Sequence, residues 1–313
     1  MKIAFVWKWW SGKSTISSLF TKHLLEKNID LIWIDADINL NFFWEIWINL
    51  DKNKALSNDD NKKLILEYLK WDNKLIENIW KFFKTTPPWK GSRLFTIKWN
   101  EILENISEKY KSWYFMFVGS YGTEWLWNAC FHKYLSVLQN ILTHTKLEND
   151  ELMIVDMVAG TDSFGSSLYA LFDLIFLVVE ASPESISVAN DFISLADYAW
   201  VRDKVRIIAN KVEDEEDLSY IKDNLNLEIF ESFEYSKDLK KSRQKGNPIS
   251  LENFNKIDLN KLENMHKLKD KIEIDENKKL KIIHKLHEEF CEQEWIQNLF
   301  WDMKWQIDKN FKL

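Results

Sequence analysis

WKWWSGKST, residues 7–15, is the stretch whose reading decides the fold. It follows a short apolar run, KIAFV (2–6), and opens a segment with helical periodicity from about Ser14 to Lys27. From Ser11 onward it has the form of a phosphate-binding loop: a glycine, a lysine, a hydroxyl residue, then a helix. Such a loop turns successive backbone N–H groups inward, which calls for positive φ and bare Cα atoms at several positions. Trp7, Trp9 and Trp10 fill those positions with indole rings.

The whole chain repeats the conflict. Its 313 residues include 7 glycines and 17 tryptophans. Glycine is therefore about 2% of the chain, against an ordinary level of roughly 7%. Pooling the two residue types brings the share back to about 8%, close to that level. The tryptophans also fall where turn chemistry asks for glycine. Trp200 follows the amphipathic run SISVANDFISLADYA, Trp89 sits in the turn stretch TPPWKGS, Trp47 ends the run FFWEIW, and Trp125 and Trp127 flank one leucine in a polar loop. A tryptophan ordinarily seeks apolar neighbours. The expectation is that most of these tryptophans stand for glycine in the living protein, as when UGA is read as glycine. Trp33 and Trp113 are candidates for native tryptophan. The alternative is a degenerate copy whose loop is filled.

Composition bounds the rest. The length suffices for one large core or two modest ones. A net charge of −7 speaks against a broadly nucleic-acid-binding surface. Cys130 and Cys291 are the only cysteines, so no disulfide framework is expected and a reducing cytoplasm fits. No signal peptide is apparent, and no apolar run approaches the ~18 residues of a membrane helix. The expectation is a cytoplasmic protein with no nucleic-acid partner and no stable membrane association.

Outward from the loop, LIWID (31–35), YFMFVGS, ELMIVDM, DLIFLVVE and KVRIIANK read as buried strands, with LEIFESF (227–233) a further candidate. Helical stretches are expected at 131–145, 165–172 and 184–199, and residues 50–112 read as charged and locally helical around a Pro87-Pro88 turn. Apolar strands alternating with helices predict an α/β fold, a mostly parallel doubly wound sheet of the P-loop NTPase kind. After about residue 250 the chain becomes Lys/Glu/Asn-rich, with Leu280, Ile283, Leu286 and Phe290 on one helical face. The predicted organisation is a P-loop domain over 1–250 and a helical C-terminal extension over 251–313.

With glycines at 7, 9 and 10, the loop becomes G-K-G-G-S-G-K-S-T. Main-chain amides from position 9 to Thr15, Gly12 included, would then cradle phosphates at a helix N-terminus. Lys13 would reach the β- and γ-phosphates and the Ser14 hydroxyl would hold Mg²⁺. With indoles at Trp9 and Trp10 the cradle is filled. Asp156 ends an apolar strand, where ligands bind in open α/β sheets.

The pattern K-G-G-x-G-K-[ST] resembles the deviant loop of the MinD/ParA/ArsA class of ATPases. The resemblance implies that Lys8 reaches across a homodimer interface to the partner's ATP. IDADIN resembles the first switch of that class, which implies that Asp37, with Asp35 nearby, orients the attacking water. VDMVAG resembles its second switch, which implies that Asp156 holds Mg²⁺ through water and Gly160 senses the γ-phosphate. IIANK implies that Asn210 reads adenine. TPPWKGSRLF, VGSYGTEWLWNACFH and VDMVAGTDSFG resemble the accessory ATPases that insert nickel into carbon monoxide dehydrogenase, over roughly residues 1–250. In those proteins a Cys-x-Cys pair from each subunit binds a metal; here the matching pair is Cys130 and His132, a departure that still offers a Cys₂His₂ set for Zn²⁺ or Ni²⁺. The resemblance implies an ATP-driven homodimeric switch serving a client metalloenzyme. Two other readings stand beside it. A spatial organiser of the partitioning type needs an amphipathic tail or a basic surface, and an inactive scaffold follows if the loop tryptophans are real.

Overall fold

The computed structural model describes residues 1–6, 11–37, 50–119, 132–158, 160–251 and 256–312. Eight strands form one sheet in the order β3-β4-β2-β5-β1-β6-β7-β8. They are β1 (Lys2–Val6), β2 (Leu31–Ala36), β3 (Glu108–Tyr110), β4 (Trp113–Phe117), β5 (Leu152–Met157), β6 (Leu174–Val179), β7 (Val205–Val212) and β8 (Ile229–Glu234). All pairings are parallel except β3 with β4. Every residue of β1, β2, β5 and β6 is buried, as a sheet covered on both faces requires. Phe5, Phe20 and Phe176 pack together beneath the loop, with ring centroids 5.1–6.0 Å apart.

The helices are α1 (Lys13–Glu26), α2 (Asp59–Lys70), α3 (Leu103–Ile106), α4 (His132–His144), α5 (Asp162–Gly165), α6 (Pro183–Tyr198), α7 (Glu215–Asn224), α8 (Lys237–Gln244), α9 (Lys256–Lys267), α10 (Glu276–Cys291) and α11 (Glu294–Phe300). Their starts are chemically marked. Ser182 caps α6 just before Pro183, and the Asp214 carboxylate accepts two amides of α7.

The structure departs from the sequence expectation in three places. The helix expected at 165–172 is two short turns, α5 and a 3₁₀ turn at Leu168–Leu171, separated by Ser167 at φ 60°. A left-handed residue cannot continue a helix. β3 is an antiparallel edge strand whose three residues, EKY, are largely exposed, so no apolar alternation announces it. The C-terminal extension, where the sequence marked one helical face around Leu280 and Phe290, forms three helices among its described residues. Leu262, Met265, Leu268 and Ile283 from that segment join the same core as the sheet. Lys279 of α10 pairs at 2.7 Å with Asp173, next to the start of β6. Thr85 Oγ1 lies 2.9 Å from His287 Nδ1 of α10, and Phe83 packs on Phe290.

The tryptophans divide by environment. Trp33 is fully buried and Trp113 nearly so, packed against each other in the sheet core with ring centroids 6.0 Å apart and planes tilted by 38°. Among the described residues, eight non-glycine residues have positive φ, and four of them are Trp71, Trp99, Trp200 and Trp301. Trp99, Trp200 and Trp301 are more than 80% exposed. Trp200 follows α6 at φ 59°, its N–H donating to the Asp197 carbonyl and the next N–H, of Val201, to the Ala196 carbonyl. That pair of bonds is the Schellman helix end, whose left-handed residue is usually glycine. Trp301, at φ 65° and ψ −152°, occupies backbone space that is essentially glycine's alone. Trp89 is different: its φ is not positive, and its indole N–H donates to Asp308. Trp7, Trp9, Trp10, Trp47, Trp125 and Trp127 lie outside the described residues.

Candidate functional site

The site forms at the carboxyl ends of β1, β2 and β5, where the connection after β1 crosses to one side of the sheet and β6 continues on the other. Gly12 ends the described part of the loop at φ 82°. The left-handed backbone favours glycine, and a Cβ there would come within 2.4 Å of Asn210 Nδ2 and displace that side chain. The first intrahelical bond of α1 runs from the Ile16 N–H to the Gly12 carbonyl at 3.0 Å. The amides of Lys13, Ser14 and Thr15 therefore have no acceptor inside the helix, as expected of its first turn. The side-chain oxygen of Ser11, fully buried beside them, has no partner among the described residues.

Lys13 points from this turn into an acidic cluster. Its ammonium lies 3.2 Å from Asp37 and 3.2 Å from Asp156, and it donates to the Met157 carbonyl. The Ser14 hydroxyl donates to Asp156 Oδ2 at 2.8 Å. Asp35 faces Asp156 across the β2–β5 register, and its Oδ1 accepts the Asp37 N–H at 2.9 Å. Lys13, Asp35, Asp37 and Asp156 are all buried.

Crowding and burial shift the titration of Asp35, Asp156 and Lys13. Burial pushes Asp156 up to about 7, with Lys13 pulling against it and Asp37 adding to it. Burial, with Asp156 alongside, holds Asp35 well above the usual carboxylate range. Burial opposes the charge on Lys13, yet Asp156, Asp37 and Asp35 outweigh it and raise its pKa. The cluster thus carries more negative capacity than one lysine neutralises. Asp156 Oδ1 and Asp35 Oδ2 are buried acceptors with no hydrogen-bond partner among the described residues. Unpaired acidic oxygens beside a serine hydroxyl fit Mg²⁺, which takes one or two carboxylates and completes its shell with water and phosphate oxygens. Among the described residues, this cluster included, no group of three or more His, Cys, Asp and Glu is arranged to hold a metal ion by itself, so a bound Mg²⁺ would take most of its ligands from water and phosphate.

Of the residues singled out in the sequence, the fold brings together Ser11, Gly12, Lys13, Ser14, Thr15, Asp37, Asp156 and Asn210. Asn210, expected at adenine, donates its side-chain amide to the Ser11 carbonyl at 2.6 Å and so braces the loop. Gly160 sits just beyond β5 at φ 79°. Lys8, Trp9, Trp10 and Cys130 lie outside the described residues; of His132 only its place at the start of α4 is described. Sequence reading gave Asp35 only a passing role and missed Arg243, which reaches Thr15 from α8.

A mostly parallel sheet, a helix whose first-turn amides lack acceptors inside the helix and which carries a lysine there, and acidic residues at the ends of the adjoining strands define a P-loop nucleotide-binding architecture. Its sheet and flanking helices have the MinD/ParA P-loop NTPase fold. The ParA family ATPase of Chlorobium tepidum TLS aligns over 85% of this chain and 98% of its own, with a TM-score of 0.59 at 14% identity. An ATP complex of Cyanothece McdA aligns over 87% and 97%, with a TM-score of 0.53 at 13% identity. The MinC:MinD cell division complex of Aquifex aeolicus aligns over 88% and 97%, with a TM-score of 0.51 at 18% identity. At these identities the likeness establishes the fold. By sequence, two uncharacterised ATP-binding proteins of Methanocaldococcus jannaschii are similar. One is 34% identical over 119 residues, which is 37% of this chain and 46% of the relative. The other is 25% identical over 222 residues, 69% of this chain and 80% of the relative. The chain thus matches less than half the length of the first. No protein-family model matches the chain.

Proposed function

We propose that this chain is a Mg²⁺-dependent ATPase, a homodimeric switch closed by ATP that assists nickel insertion into a client metalloenzyme such as carbon monoxide dehydrogenase. The observation that carries the nucleotide part is the convergence of Lys13, Ser14, Asp37 and Asp156 beside unpaired acidic oxygens. Lys13 and the first-turn amides supply positive charge to phosphates. Ser14 and Asp156 would hold Mg²⁺, which neutralises phosphate charge when bound. In this reading Asp37 orients the attacking water, Gly160 senses the γ-phosphate and Lys8 reaches the partner's nucleotide. Two relatives named as ATP-binding proteins support the same reading. Cys130 and His132 are the proposed ligands for the cargo metal.

This function needs glycine at 7, 9 and 10. The four tryptophans held at positive φ elsewhere support that substitution, because the backbone at those sites asks for glycine. Mass spectrometry of natively expressed protein reads the residues directly; indoles at 9 and 10 leave only the scaffold. Calorimetry and sizing of that protein with Mg²⁺ and ATP should show binding and a dimer. Lys8→Ala should retain binding and lose ATP-dependent dimerisation, and Asp37→Ala should trap the ATP-bound dimer. Cys130→Ala should lower the metal content per dimer with the ATPase intact. ATP-dependent co-sedimentation with DNA or liposomes would instead favour a partitioning role.

A further inference from the structure

Arg243 connects a distant helix to the start of α1. It lies on α8, and its Nη1 donates to Thr15 Oγ1 at 2.8 Å, across 228 residues of sequence. Thr15 is 5% exposed, in the first turn, one residue past Ser14. The direction of the contact is informative. A hydroxyl that accepts from a guanidinium still has its own proton to donate. Thr15 and Arg243 thus form a donor pair beside amides that lack intrahelical acceptors and beside the orphaned, fully buried Ser11 hydroxyl. Every one of these groups suits an anion.

The order of strands says which part of the anion. The acidic cluster lies to one side of β1, with Asp35 on β2, Asp156 on β5 and Asp37 just past the end of β2. Asn210 at β7 lies to the other side, and Arg243 reaches Thr15 from α8. Terminal phosphates and Mg²⁺ belong with Lys13 and the acids, so a phosphate chain laid across the helix end runs toward β7 and β8. The nucleoside end is then nearest Thr15 and Arg243.

We propose that Arg243 is a phosphate-positioning residue, acting with the Thr15 hydroxyl on the phosphate next to the nucleoside. This rests on the nucleotide reading above and deepens it. Because ADP and ATP share that phosphate, the arginine supports both alike. It also ties α8 to an occupied site. A guanidinium offers a planar fork to a phosphate, which an ammonium does not match.

The test is calorimetry of the full chain, carrying glycine at 7, 9 and 10, with ADP and with ATP. Arg243→Ala should weaken both by about ten- to hundredfold, the range of a charge-assisted hydrogen bond. Arg243→Lys should recover part of the loss. The urea midpoint of the ligand-free variant should stay at the parent's value. In a double-mutant cycle with Thr15→Val the losses should fall short of additive, because the two groups share one phosphate. Affinities within twofold of the parent, or a loss that tracks a lowered ligand-free midpoint, overturn the proposal while leaving the ATPase reading intact. A parent that binds neither nucleotide overturns both.

Discussion

Replacing Trp200 and Trp301 by glycine should stabilise the chain as its sequence is written, which is the reverse of what removing tryptophan usually does. Trp200 terminates α6 in the left-handed region at φ 59°, where a residue with a Cβ loses about 1–2 kcal/mol. Glycine relieves that strain but returns roughly 0.4–1 kcal/mol of freedom to the unfolded chain. The indole is 90% exposed, so little burial is forfeited and the net gain is about 0.5–1 kcal/mol. Trp301, at ψ −152° and 81% exposed, carries strain of about 1–3 kcal/mol and should gain somewhat more. Trp99, at φ 61° and 98% exposed, should behave like Trp200. The three lie on separate turns, so together they should give about 2–4 kcal/mol. Trp71 is set apart by the Arg93 guanidinium stacked 3.3 Å from its ring centroid; losing that contact offsets the backbone relief. Trp33→Gly is the internal control. Its ring is fully buried against Trp113 and Phe115, and its loss should destabilise by about 3–5 kcal/mol. Urea unfolding of each variant measures the differences. A destabilisation of 1 kcal/mol or more at Trp200 or Trp301 would refute the backbone argument.

Lys13→Ala should abolish measurable nucleotide binding and also lower the urea midpoint of the ligand-free protein, because Asp37 and Asp156 lose the cation they share; retained affinity would contradict the site. Lys279→Met should destabilise by about 3–5 kcal/mol, the usual effect of stranding one half of a buried pair, since it leaves Asp173 buried beside β6. An unchanged midpoint would mean that α10 is not anchored there. Acid should also weaken the fold through two histidines. Burial lowers His144 and His287 from 6.5 to about 4, so between those pH values the unfolded chain binds protons that the folded chain refuses. Stability is therefore full above pH 6.5 and falls as pH drops toward 4. The raised carboxyls of Asp35 and Asp156 act in the opposite sense, so the measurement is the difference between parent and a His144→Gln, His287→Gln double variant. Identical midpoint slopes over that window would dismiss the effect.

The fold was largely legible because its central strands are predominantly apolar runs bounded by acidic or turn residues. KIAFV and LIFLVV are buried at every position, which only a sheet covered on both faces explains. What escaped lacks that contrast. β3 is three exposed polar or aromatic residues paired at an edge, and the break at Ser167 depends on one dihedral angle. His284 and His287, which share the buried face of α10 with Leu280 and Ile283, read as polar in a list of residues. In the site, Lys13, Ser14 and Asp156 were readable because a loop at the end of one strand and an acid at the end of the next must meet. Arg243 was not: it lies in an exposed stretch, KKSRQKG, whose local pattern says nothing about α1.

The two kinds of tryptophan environment lead to one last consequence. A codon is reassigned throughout a genome, so recoding cannot act on the loop alone. If positions 7, 9 and 10 are glycine through UGA, then the sites whose backbone calls for glycine, 71, 99, 200 and 301, should carry that codon as well. Trp33 and Trp113, which pack in the core with no positive φ, should carry UGG instead. Trp89 is the sharpest case. The turn TPPWKGS reads as a place for glycine, whereas the fold gives its indole a partner in Asp308 and leaves its φ negative. UGA at 89 would show that sequence context is the better guide there, and UGG that the contact is native. The gene decides the general claim without any protein being made. Codons that divide along the line between left-handed turns and buried strands support a bare-backbone cradle in front of Lys13. UGG at Trp10, Trp200 and Trp33 alike would detach backbone geometry from coding, and the loop in front of Lys13 would be filled by indoles.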